Sequence, residues 1–151
     1  MLAVTGLGSR IVEELKPLLP EGEEVVRIAD DGPAPICERY FLCAGVLRPK
    51  KLKDQTSKEI GESLHVNLFR PIELCEQILE TNDQARICVM GSESGFAWSF
   101  DGTYAAAKAA LHRYIETRKL GPYQQLVGIA PSIIEDTRMT EARTDLENLE
   151  R

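Results

Sequence analysis

The chain has 151 residues, 43% of them hydrophobic, and a formal net charge of −6. This length predicts one domain, 1–151, able to bury a core of its own. The negative charge argues against a nucleic-acid surface, and no apolar run is long enough to span a membrane.

Strand and helix patterns alternate along the chain, as they do in a parallel α/β sheet. Residues 1–5 read as a short apolar strand. Ser9 is placed to cap a helix running to about Leu19, closed by Pro20 and Gly22. Residues 24–29 form a second strand, followed by the turn-rich stretch 30–35. Residues 39–44 form a third strand, and 45–56 a loop. That loop holds the basic cluster from Arg48 to Lys53, which reads as a solvated lead into a helix. Ser57 is expected to cap a long helix reaching about Glu80, kinked at Pro71. The fourth strand is 85–90, and 91–103 is a loop. An alanine-rich helix covers 104–119, a fifth strand 123–130, and a polar segment 141–151 reads as a short helix or frayed tail.

Four cysteines, at 37, 43, 75 and 88, lack C-x-x-C spacing, and three sit in apolar runs. They read as buried free thiols of a reducing compartment. His65 and His112 are the two histidines, and no zinc-ligand spacing accompanies them. No signal peptide precedes the first strand, so the expected location is cytoplasmic.

The most informative residues are Tyr104 and Lys108, four apart on the predicted helix and so on one face of it. A free phenol titrates near 10 and is a poor base at neutral pH; a neighbouring ammonium favours its phenolate. A phenol tuned in this way serves as a general acid or base. Ser92 follows the fourth strand and is placed to present a hydroxyl at its carboxyl end, where open parallel sheets bind ligands.

The stretch from Ile87 to Gly95, followed by Tyr104-Ala-Ala-Ala-Lys108, resembles the active-site segment of the short-chain dehydrogenase/reductases. Val4-Thr-Gly6 resembles the start of that family's nucleotide loop, Cys43-Ala-Gly45 its Asn-Ala-Gly turn, and Val66-Asn-Leu68 the segment carrying its active-site asparagine. Pro131, with Thr137-Arg-Met139 behind it, resembles the Pro-Gly and Thr-x-Met segment. The resemblance implies a Rossmann-like, doubly wound parallel sheet reduced to about five strands, in the order 2-1-3-4-5. It implies an NAD- or NADP-dependent oxidoreductase that interconverts a small-molecule alcohol and a carbonyl. Tyr104 would exchange the hydroxyl proton, Lys108 would tune it and bond the nicotinamide ribose, Ser92 would bond the substrate oxygen, and Asn67 would hold a proton relay. Gly6, Gly8, Asp30, Ala44, Gly45, Pro131 and Ile134 would line the cofactor cleft. A homodimer or homotetramer would pair through helices 57–80 and 104–119, with alanines 105, 106, 109 and 110 permitting close approach and the helix containing Ile72, Cys75 and Leu79 completing the interface.

The chain also departs from the pattern. The nucleotide loop is shorter, with only Gly6 and Gly8, and reads as a phosphate cradle or as a plain strand-to-helix turn. Asp30 and Asp31 suit a ribose hydroxyl or a simple polar turn. Asn67 suits the relay or a bond to kinked backbone before Pro71, and the two readings are compatible. Ser92 competes with Ser94 for the hydroxyl role, while Trp98 and Phe100 line the substrate pocket or pack back on the sheet. Between Asp30 and Tyr40 the family's next helix and strand have no room, and a substrate lid is expected to be missing after Met139. The alternative expectation is therefore a non-catalytic binding or assembly module on the same fold, with weak or absent turnover.

Overall fold

The computed structural model describes residues 1–97, 99–134, 137 and 139. Strands β1 (Leu2–Thr5), β2 (Val25–Arg27), β3 (Arg39–Leu42), β4 (Arg86–Met90) and β5 (Gln125–Ile129) form one parallel sheet in the order β2-β1-β3-β4-β5. This is the order implied from the sequence. Its switch point lies between β1 and β3, which start their crossovers on opposite sides.

Side chains alternate along each central strand, and both faces are apolar because both are covered. Ala3, Tyr40, Leu42, Ile87 and Val89 point to one core, with Leu74, Cys75, Ile78 and Leu111 from the helices on that side. Leu2, Val4, Phe41, Cys43 and Met90 point to the other, against Val12. The helices of the first face are α2 (Ser57–Leu64), α3 (Arg70–Thr81) and α4 (Gly102–Thr117). The second face carries α1 (Arg10–Leu15).

Element ends differ from the sequence expectation for local reasons. Ser9 does cap α1, its hydroxyl accepting from Val12 N–H at 3.3 Å. The α-helix stops at Leu15, because Pro17 cannot continue the ladder, and Lys16–Leu18 tightens into a 3₁₀ turn. Thr56, not Ser57, caps α2: Thr56 and Glu59 form a reciprocal capping box one residue earlier. The long helix predicted from Ser57 to about Glu80 is interrupted by a π-helical turn, His65–Phe69. An α-ladder would need residue 71 to donate to the carbonyl of Asn67, and Pro71 has no N–H to give. Between β2 and β3, residues 28–38 contain neither helix nor strand. Arg70 ties down this loop, donating to Ala29 O at 3.2 Å and also to Gly32 O.

Within the basic cluster Arg48 bridges to Glu62 and Lys50 reaches Glu59 at 2.6 Å, while Lys51 and Lys53 are exposed, as expected of a solvated lead into the helix. All four cysteines are free thiols, with 37, 43 and 75 buried and Cys88 half-buried. Cys75 and Leu79, on α3, belong to the inner core. Trp98, Arg138 and the segment 141–151 lie outside the described residues. No described helix is long and apolar enough to cross a membrane.

Candidate functional site

The carboxyl ends of the strands converge because their registers align Thr5 with Leu42, Leu42 with Val89 and Val89 with Gly128. Two side chains shape the floor above this edge. Thr5 Oγ1 accepts from Cys43 N–H at 2.9 Å and Ala44 N–H at 3.0 Å, so the turn after β3 is tied to the end of β1. There Gly6 takes φ 67°, and a Cβ on it would meet Ala44 Cα at 3.2 Å. The two backbones thus pass with no side chain between them.

Asn67 holds the same turn from the helix side. It is wholly buried, and its amide donates to Val46 O at 2.7 Å and to Ser63 Oγ at 3.2 Å. Its carbonyl oxygen accepts from Val46 N–H at 3.0 Å. Of the two readings offered by the sequence, the geometry gives this side chain a backbone to bind, but the backbone is that of the β3 loop rather than of its own kinked helix.

Asp101 caps α4, which starts at Gly102, two residues before the expected Tyr104. It is 1% exposed; its Oδ1 accepts from Tyr104 N–H at 3.1 Å and Gln55 Nε2 at 2.9 Å, and its Oδ2 from Arg48 N–H at 2.9 Å. This cap fixes Tyr104 in the first turn. Tyr104, Lys108 and His112 then follow at intervals of four along one buried stripe. Lys108 Nζ donates to Met90 O at 2.7 Å and lies 5.7 Å from the centroid of the Tyr104 ring. Burial disfavours the ammonium and lowers its pKa to about 8, with Cys43 acting weakly the other way. Burial likewise pushes the Cys43 thiol up.

Ser92 stands across from this stripe at the end of β4, with Oγ accepting from Ser94 N–H at 3.2 Å. Its own N–H donates to His112 Nε2 at 3.2 Å. The loop is anchored to the chain after β5 by Gly91 N–H to Ile129 O at 2.6 Å and Glu93 N–H to Pro131 O at 2.9 Å.

These elements enclose a cleft of about 1050 Å³. Gly6, Gly8, Asp30, Ala44, Gly45, Ser92, Tyr104, Lys108, Pro131 and Ile134 all line it; Asn67 does not, and acts from beneath through Val46. Asp30 is exposed at the far end and pairs with Arg27 at 3.2 Å, while Asp31 shares that wall. Thr137 and Met139 line the near wall. Among the described residues, no group of three or more His, Cys, Asp or Glu is arranged to hold a metal ion. The sequence reading passed over Thr5, Arg70, Asp101 and His112. Two of them carried a local signal: Asp101-Gly102 is a helix-start pair, and His112 is one turn beyond Lys108.

A family model described as short chain dehydrogenase matches residues 41–148. No curated protein matches. Solved structures do. A short chain dehydrogenase from Leptospira borgpetersenii with bound NAD+ superposes with a TM-score of 0.75 at 18% identity, over 93% of this chain and 74% of that one. An oxidoreductase of the short chain dehydrogenase/reductase family from Burkholderia thailandensis gives 0.74 at 20% identity, over 99% and 73%. A short chain dehydrogenase family protein from Francisella tularensis gives 0.74 at 20%, over 91% and 71%. At such identities these structures speak for the fold alone.

Proposed function

The chain belongs to the short-chain dehydrogenase family, and we propose that it binds a nicotinamide dinucleotide in the carboxyl-edge cleft and interconverts an alcohol and a carbonyl on a small molecule. The observation that carries this reading is the buried pair Tyr104 and Lys108 on one helix face, with Ser92 in the same cleft.

The cleft fits the cofactor. Its volume of about 1050 Å³ is at the upper end for small-molecule sites, large enough for a dinucleotide. Gly6, Gly8 and Ala44 line the cleft with little or no side chain, and Asp30 and Asp31 offer acceptors to ribose hydroxyls. Ala44, Gly45, Pro131 and Ile134 would hold the nicotinamide half. When bound, the nicotinamide supplies the two-electron redox half of the conversion.

The protein's own residues handle the proton. In the reductive direction Tyr104 Oη gives its proton to the substrate oxygen, which stays on its carbon as the hydroxyl of the alcohol; in the oxidative direction Tyr104 takes that proton back. The Lys108 ammonium stabilises the phenolate that Tyr104 becomes. With a pKa of about 8, Lys108 is charged at neutral pH and so available for this role. Ser92 Oγ orients the substrate oxygen between Tyr104 and the cofactor. Asn67 supports the relay indirectly, by fixing the turn at Val46.

The carboxylates at the end of β2 favour NAD(H) over its 2′-phosphorylated form, because a phosphate there would face Asp31. Arg27 is already engaged by Asp30, which limits its use as a phosphate partner. We also propose a homo-oligomer that pairs through α4 and the neighbouring helices. Ala106, Ala109 and Ala110 are exposed on α4, and Phe69 is 51% exposed.

The test is dinucleotide titration by nicotinamide fluorescence, followed by turnover of a panel of carbonyls. Tyr104→Phe should keep binding and lose turnover. Binding without turnover in the wild type would favour the non-catalytic module, and failure to bind either dinucleotide would overturn the cofactor reading.

A further inference from the structure

We infer that His112 is a positioning residue for Ser92: its Nε2 holds the Ser92 N–H and thereby sets where the Ser92 hydroxyl meets the substrate oxygen. This rests on the oxidoreductase reading of the cleft.

The geometry is specific to this purpose. A backbone N–H at the end of a strand ordinarily finds a backbone carbonyl or water. Ser92 instead donates to a side chain twenty residues away, at 3.2 Å. The ring occupies a slot made by two glycines that flank Ser92. A Cβ on Gly91 would meet His112 Nε2 at 2.3 Å, and one on Gly95 would meet Nδ1 at 2.7 Å. Phe96 closes the slot, its ring stacked on the imidazole at 4.4 Å between centroids and 20° between planes. The imidazole is therefore fixed on three sides, and Ser92 with it. Because Lys108 precedes His112 by one turn, a single helix positions the proton-exchanging pair and, through His112, the serine opposite them.

The contact works in one protonation state. Nε2 accepts only when the ring is neutral, with its proton on Nδ1. That Nδ1 is buried and has no hydrogen-bond partner among the described residues. Protonating Nε2 would set N–H against N–H and release Ser92. Burial first, and then the charge of Lys108, hold the His112 pKa below its usual value, while Glu116 acts in the opposite direction. From the loop the ring meets the Ser92 N–H, and the side chain of Glu93 is exposed. β5, which binds the loop through Ile129 O, contains no titratable residue. The neutral ring thus persists into mildly acid solution, and below that range the serine loses its anchor.

The experiment follows the Ser92 amide and the His112 ring by NMR from pH 5 to 8, in the wild type, His112→Gln and His112→Leu. Turnover is measured in parallel. In the wild type the Ser92 amide should titrate with the imidazole, at a midpoint below 6.5. The acid limb of kcat should share that midpoint. His112→Gln keeps an acceptor that does not titrate, so it should retain most of kcat and lose that limb. His112→Leu should lower kcat about tenfold, the scale of one lost hydrogen bond, with dinucleotide affinity unchanged. A Ser92 amide that stays still while the ring titrates overturns the inference, whether or not the leucine variant folds. So does a midpoint at or above 6.5. If the amide follows the ring but no carbonyl is turned over, the oxidoreductase reading fails while the His112–Ser92 link stands. If turnover is robust but the amide is indifferent, the reverse holds.

Discussion

Replacing Asn67 by leucine keeps the number and branching of side-chain heavy atoms and removes three hydrogen bonds at once. Val46 loses the partners of both its N–H and its C=O, and Ser63 Oγ loses a donor. Asn67 and Ser63 are fully buried, whereas Val46 is half-buried beside the cleft. An unpaired buried polar group costs about 1–3 kcal/mol. Partial hydration of Val46 pulls its two groups to the lower end, and the sum is about 3 kcal/mol. At roughly 2–4 °C per kcal/mol for a chain of this size, Tm should fall by about 6–12 °C. Urea unfolding by circular dichroism gives the free energy, with an unchanged m-value as the check that the unfolded reference is the same. Asn67→Asp separates the contributions: it keeps an acceptor for Val46 N–H but turns a second acceptor toward Val46 O. It should be no more stable than the leucine variant above pH 5. A leucine variant within about 1 kcal/mol of the wild type would refute the argument that Asn67 clamps the β3 turn.

Lys108 is expected to make stability rise with pH. Its folded pKa is about 8 against 10.5 unfolded, so the folded state binds fewer protons between those values. A penalty of about 3 kcal/mol carried below pH 8 should be relieved by pH 10.5, and the urea midpoint of Lys108→Met should lack this rise. Gly91→Ala should cost about 2–3 kcal/mol, since its Cβ would stand 2.3 Å from His112 Nε2 and 2.9 Å from Ile129 O; thermal unfolding indistinguishable from the wild type would contradict the packing. Glu76 accepts from Tyr114 Oη at 2.6 Å and from Arg118 Nε at 2.7 Å, so Glu76→Gln should weaken the α3–α4 contact by about 1 kcal/mol in chemical denaturation. Arginine at Ala106 should dissociate the proposed oligomer in sedimentation velocity without changing the far-ultraviolet spectrum; a wild-type monomer at micromolar concentration would remove that proposal.

Much of the fold was legible because its signals are local. The apolar runs of β1, β3 and β4 specify strands buried on both faces, and their alternation with helical stretches specifies a parallel sheet. The candidate acid-base pair was legible for the same reason: Tyr104 and Lys108 are four apart on one helix, and the helix period alone puts them on one face. Boundaries failed where a cap or a proline outweighed the periodicity, as at Asp101, Thr56 and Pro17.

The sequence by itself determined the strand–helix alternation, the covered sheet with its edge of carboxyl ends, and the spacing of Ser92, Tyr104 and Lys108. Tertiary structure alone decided that Asn67 spends its amide on Val46, that Thr5 ties down the turn at Cys43 and Ala44, and that His112 holds Ser92. Each of these contacts joins residues about twenty or more apart. Periodicity and capping act within a turn or two of the chain. The partner of a given N–H across the sheet edge is fixed only when the helices have packed, because it depends on crossing positions that no local pattern encodes.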